Sequence, residues 1–182
     1  MKRLRQIRLS VGLAILGAIA AMLMVGPAVA APDSTDSQVA KDLAAVRQAT
    51  AKYHDVENAL ADGFVSLVHC VSSPAGAMGV HYLNPGRLDG NIDLLEPEVL
   101  LYAPTPSGDR LVAVEYFLPI GGPDDPIPDP APPAPVLFGH TSNGPMLGHE
   151  PGMPPHYDFH VWVWQANPNG IFEEFNPKIS CP

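Results

Sequence analysis

The chain has 182 residues, 22 of them proline and 16 glycine, with 46% hydrophobic residues, 16% charged residues and a formal charge of −9. This length suits one domain with a buried core, and the hydrophobic share excludes a wholly disordered chain. Ten basic residues stand against nineteen acidic ones, so nucleic-acid binding, which needs clustered Lys and Arg, is excluded along with collagen-like and coiled-coil classes.

Residues 1–30 read as a Sec signal peptide. Lys2, Arg3, Arg5 and Arg8 precede an uncharged run from Leu9 to Val25, and Ala28-Val29-Ala30 forms a small-x-small cleavage site. Cleavage after Ala30 leaves 152 residues with six basic and nineteen acidic side chains, a net −13, and no stable membrane span. The expected location is secreted or periplasmic. Residues 31–182 are then a single exported domain.

The spacing of Val39, Leu43, Val46, Ala49, Tyr53, Val56 and Leu60 predicts one amphipathic helix over Ser37–Asp62, stopped by Gly63. Short strand-like runs follow: Phe64–Val71, Met78–Leu83, Val99–Tyr102, Arg110–Leu118 and Tyr157–Gln165. Turn signals such as Asn84-Pro85-Gly86 and Pro106-Ser107-Gly108-Asp109 separate them. A helix and then successive strands predict an α+β fold, with the helix packed on an antiparallel sheet that is strongly curved or barrel-like. Pro119–Pro135 holds eight prolines in seventeen residues. Together with the glycine-rich stretch after it, it makes residues 119–156 a Pro/Gly-rich loop insertion, either solvated or a flap.

Cys70 and Cys181 are the two cysteines of the chain. An even count in an exported chain predicts a disulfide. No CxxC or CxxCH occurs, and there is no G-x-S-x-G elbow, P-loop or dinucleotide turn.

The candidate chemistry comes from ionisable residues inside apolar runs. Glu115 stands in Arg-Leu-Val-Ala-Val-Glu-Tyr-Phe-Leu, a strand apolar on both faces. A buried carboxylate must be neutral, hydrogen-bonded, charge-paired or bound to metal. His81 lies between Val80 and Tyr82, and His160 shares a face with Asp158, Trp162 and Trp164 in strict alternation. If the strands are neighbours, His81, Glu115 and His160 form a two-His, one-carboxylate set for a divalent transition metal, with Glu98 as a fourth ligand or a base. A buried Glu–His hydrogen-bond network without metal meets the same desolvation demand. Tyr82, Tyr116, Trp162 and Trp164 are candidates to line a small-molecule ligand pocket.

The runs Gly76-Ala77-Met78-Gly79-Val80-His81-Tyr82-Leu83-Asn84, Pro97-Glu98-Val99-Leu100-Leu101-Tyr102, Val114-Glu115-Tyr116, His160-Val161-Trp162-Val163-Trp164 and Asn167-Pro168-Asn169-Gly170-Ile171-Phe172, with Asn176-Pro177 and the closing Cys181, resemble a family of exported bacterial proteins without an established activity. The resemblance covers about Lys52 to Cys181 apart from the proline-rich excursion, and it transfers no catalytic residue. The reading is therefore an exported small-ligand or metal-binding domain, with binding ranked ahead of catalysis. A structural, envelope-associated interaction protein and a metal-dependent enzyme using His81, Glu115 and His160 are the alternatives.

Overall fold

The computed structural model describes residues 34–67 and 70–182. The expected signal peptide with its cleavage site, and His69, lie outside the described residues. Among the described residues no helix is long and apolar enough to cross a membrane.

The apolar stripe forms helix α1 (Ser34–Thr50), a 3-10 turn over Ala51–His54, and helix α2 (Val56–Ala61), where the periodicity predicts one continuous helix. The interruption has local causes. Thr50 is buried and its hydroxyl donates back to Val46 O at 2.7 Å, a bond that bends helices. Asp55 is extended, and its carboxylate accepts from Glu57 N, so it caps a new start. Gly63, at φ +92°, ends α2 as expected. Val39, Leu43, Val46, Tyr53 and Val56 pack toward the sheet, whereas Leu60 stays exposed.

The strands are β1 (Val65–Ser66), β2 (Val71–Ser73), β3 (Gly76–Leu83), β4 (Val99–Ala103), β5 (Arg110–Pro119), β6 (Val136–Leu137), β7 (His140–Thr141), β8 (Asn143–Met146) and β9 (His156–Val161). One antiparallel sheet has the order β1-β3-β4-β5-β9-β8, with β2 also pairing β3. The fold is α+β. The outermost strands β1 and β8 do not pair with each other, so the sheet is open and the barrel expectation is corrected. Part of the 119–156 excursion is ordered into the fold: β6 and β7 form a hairpin, and β8 adds to β9. Pro145 sits in β8 at the sheet edge, where a missing ladder donor is tolerated.

The helices cover one side of the sheet, over Leu100, Tyr102, Val114, Tyr116, Phe159 and Val161. The other side carries Ala77, Val99, Leu101, Ala113, Phe117 and Trp162, beneath Ile179 of the closing segment. That segment is stapled down at three places. Ala77 and Asn176 exchange backbone hydrogen bonds, Trp162 Nε1 donates to Glu173 O, and Cys70 is disulfide-bonded to Cys181 across 111 residues. Gly76 makes the Asn176 pairing possible, because a Cβ there would overlap the Asn176 backbone. A register shift in the β4–β5 ladder leaves Val112 as an extra residue. It puts Leu111 on the helix side and Val112 with the second cluster, the reverse of strict alternation.

Candidate metal centre

The ladder registers set the site. Leu83, Val99, Glu115 and His160 form one cross-strand row, because Leu83 pairs with Val99, Val99 with Glu115 and Glu115 with His160. His81 pairs with Leu101 in the adjoining row, and Leu101 with Ala113. His81 therefore faces Glu115 across β4, over a floor of Val99, Leu101 and Ala113.

The three expected residues converge. His81 Nε2 lies 3.4 Å from Glu115 Oε2, and His160 Nε2 lies 3.7 Å from the same oxygen. One ligand atom from each residue falls within 4.8 Å of the others. The imidazole centroids are 6.2 Å apart with planes at 87°. Metal–nitrogen bonds of about 2.0–2.1 Å put neighbouring ligands of a tetrahedral site about 3.4 Å apart, close to the two measured edges. Glu115 and His160 are buried, and His81 keeps 14% of its side chain exposed, so the centre meets solvent on the β3 side.

The site does not satisfy itself by hydrogen bonding. Glu115 Oε2, His81 Nδ1 and both nitrogens of His160 are buried without a hydrogen-bond partner among the described residues. Most buried polar atoms have one. This argues against a fully satisfied metal-free Glu–His network: Glu115 Oε2 and His160 Nε2 face each other unpaired at 3.7 Å, a separation suited to a shared ion.

Burial sets the protonation states. It pushes His81 down to about 4, with the His149 charge acting in the same direction. It pushes His160 down to about 3, helped by His81 and His149. The Glu115 carboxyl is raised well above its ordinary range, first by burial and then by Asp158, Glu98 and Glu174. Near neutral pH both imidazoles thus offer lone pairs, and burial favours the protonated form of Glu115, whose proton an ion would displace.

Glu98 is not brought to the trio. Just before the start of β4, its Oε2 accepts from Phe117 N at 3.1 Å, and it lines a separate polar pocket with Arg87, Asp89 and Asp93. The expected aromatic pocket is divided between the two sides of the sheet. Trp162 packs with the site-side cluster, whereas Tyr82, Tyr116 and Trp164 pack with the helix-side one. Strand β9 ends at Val161, and alternation ends with it. The Trp164 ring lies 4.2 Å from that of His54, and its Nε1 donates to Thr50 Oγ1 at 3.1 Å. The tyrosines are likewise committed: Tyr82 donates to Asp109 and Tyr116 to Leu94 O.

Three further polar residues share the site's surroundings. His156 and Asp158 precede His160 at two-residue spacing on β9, both buried. The His-x-Asp-x-His pattern was available as their signal. Glu174 acts on Glu115 from the irregular closing segment, where no periodicity could reveal it.

The chain matches no family model, no curated protein and no solved structure, so the geometry carries the functional reading.

Proposed function

We propose that this protein is an exported domain that binds a divalent transition-metal ion through His81, Glu115 and His160. The observation that carries this reading is the meeting of donor atoms from three strands at separations close to those of a metal polyhedron, with Glu115 Oε2 and His160 Nε2 buried and without hydrogen-bond partners among the described residues. Two imidazoles and one carboxylate suit ions of the zinc class and disfavour Mg²⁺ and Ca²⁺, which take all-oxygen sets. Export fits the disulfide, which persists in oxidising compartments. The resemblance to exported bacterial proteins adds that His81, Glu115 and His160 fall in its motifs.

Asp158 supports the same reading. Once Nε2 of His160 coordinates an ion, Nδ1 carries the proton and needs an acceptor. Asp158 Oδ1 is buried without a partner two residues away on the same strand face. Such outer carboxylates orient metal-bound histidines. Asp158→Asn will therefore weaken metal binding about 10–100-fold without lowering the melting temperature of the metal-free protein. Titration calorimetry with Zn²⁺ and a thermal melt measure the two effects. Unchanged affinity would remove Asp158 from the site.

The pH dependence has one source. Above about pH 5 both ligand imidazoles are already neutral, so the ion competes only with the Glu115 proton. Affinity will rise about tenfold per pH unit from pH 5 until Glu115 ionises unaided, with one proton released per ion. Calorimetry in buffers of different ionisation enthalpy counts that proton; an affinity flat across this range contradicts the assignment.

The reading as a whole is tested by dialysing chelator-treated protein against Zn²⁺, Co²⁺, Ni²⁺ and Mn²⁺ and measuring bound metal. One equivalent retained supports it. No stoichiometric retention, and no melting shift on adding the ions, ends it.

A further inference from the structure

The polar pocket lined by Glu98 lies apart from the trio, and the metal centre leaves it unused. It is formed by the loop between β3 and β4 and has a volume of about 280 Å³. The loop is fastened at several points. Asn84 N donates to Glu98 O at 2.9 Å and closes its base, and Arg87 Nη1 donates to Pro97 O at 2.8 Å. Tyr116 donates to Leu94 O at 2.7 Å, and Ile92 and Leu94 pack against the helix-side cluster. With those two residues anchored, Asp89, Asn91 and Asp93 at the alternate positions stand exposed along the pocket.

The lining is rich in oxygen and holds no imidazole or thiol. Glu98 is the decisive member, because its carboxylate is buried with the residue only 1% exposed. Phe117 N donates to Oε2, and among the described residues no other residue donates to this carboxylate, so Oε1 is left to the pocket. A buried carboxylate so placed needs a counter-charge. Arg87 makes no ion pair with it: the guanidinium is held by Pro97 O, the Tyr53 hydroxyl and the Phe64 ring. The exposed acids keep an oxygen each as well. Asp89 Oδ1 accepts from Asn91 N and Asp93 Oδ1 from Leu95 N, both at 2.8 Å, which leaves Oδ2 of each uncommitted. Asp89-x-Asn91-x-Asp93 also repeats the first, third and fifth oxygens of a calcium loop. It is not an EF-hand, because Leu94 and Leu100 stand where that loop has its glycine and its closing glutamate.

We propose that the β3–β4 loop is a Ca²⁺ site formed by side-chain oxygens of Asp89, Asn91, Asp93, Glu96 and Glu98. Ca²⁺ takes about six to eight oxygen ligands in flexible geometry, so the exposed carboxylates can close on it from a fastened loop while water fills the remaining positions. Mg²⁺ demands a near-ideal octahedron and gives up its water reluctantly, which suits this lining less. Glu98, fixed at the head of β4, supplies the closing carboxylate in place of the missing glutamate. Zinc-class ions prefer the nitrogen donors of the trio, so the two sites take different ions and this one stands independently of the other.

The test is equilibrium dialysis of the chelator-treated full protein against radiolabelled Ca²⁺ at about 0.15 M salt, where diffuse attraction to acidic surfaces is screened. The parent is expected to hold one equivalent with a Kd of about 10⁻⁴–10⁻³ M, the range of extracellular calcium modules, and to hold Mg²⁺ more weakly. The Asp89→Asn, Asp93→Asn double variant keeps an acceptor for both loop amides at exposed positions, so it is expected to melt as the calcium-free parent does. It is expected to bind Ca²⁺ at least about tenfold more weakly, because affinity follows the charge of the ligand set. Glu98→Gln, which keeps an acceptor for Phe117 N, is expected to lose affinity likewise, and Glu115→Gln to bind as the parent does. No stoichiometric Ca²⁺ on the parent, or undiminished binding in either loop variant, overturns the site. Loss of Ca²⁺ in Glu115→Gln with the loop variants unaffected would move the ion to the trio and overturn it equally.

Discussion

Replacing Glu115 with Gln will abolish metal binding and, at the same time, raise the melting temperature of the metal-free protein. The two effects have one cause. The Glu115 carboxyl has its pKa raised in the folded state by burial, then by Asp158, Glu98 and Glu174. A group whose folded pKa exceeds its unfolded value contributes stability that is fully present below the unfolded pKa and lost as pH rises through the folded one. Metal-free parent protein therefore loses stability from about pH 4.5 upward, and the Gln variant does not. The gain will be absent at pH 4 and largest at alkaline pH, about 1–3 kcal/mol for relieving an unmatched buried polar group, or about 2–12 °C. The histidines act on the other limb. His81 and His160 have lowered folded pKa values, so both proteins lose stability as pH falls from about 6.5 toward 4. With saturating Zn²⁺ the order reverses. The parent gains about 4 kcal/mol at a thousandfold excess over Kd, about 8–16 °C, and the variant gains nothing. Paired melts at pH 8, with and without Zn²⁺, decide this. A carboxylate retained for a structural ion pair would instead make Glu115→Gln less stable under both conditions.

Loss of the Cys70–Cys181 bridge will be the largest purely structural perturbation. It closes a loop of 111 residues, for which chain entropy gives about 4–5 kcal/mol as an upper figure. The Cys70→Ser, Cys181→Ser double variant is expected to melt up to about 8–20 °C below the parent. The effect is partly local. Asn176 stays paired to Ala77 and Trp162 to Glu173, so the closing segment remains docked up to Asn176, while Ile179 and position 181 lose their tether over the apolar face. Metal held beneath that face will then exchange faster than in the parent. A melting shift under about 3 °C would mean that those backbone pairings alone hold the segment.

Glu115 was legible in the sequence because a carboxylate inside a strand that is apolar on both faces has few affordable fates. Its partners were legible only as candidates. His81 and Glu115 meet across the width of β4, and that encounter depends on ladder register, not on local spacing. Periodicity predicts one unbroken helix, and side chains overrule it at the Thr50 hydroxyl and the Asp55 cap. Trp164 leaves the face that alternation predicts because the strand stops at Val161, where Trp162 N turns away to bond Ile171 O. Glu98, a candidate fourth ligand from its place in an apolar run, is taken up by the Phe117 backbone N–H just before β4 begins.

The most direct test is anomalous diffraction from a crystal of the protein soaked in Zn²⁺, with data on both sides of the zinc absorption edge. The account predicts one strong peak within about 2.2 Å of ligand atoms from His81, Glu115 and His160. A crystal with no peak among these three residues, or with zinc bound only elsewhere on the surface, would contradict it.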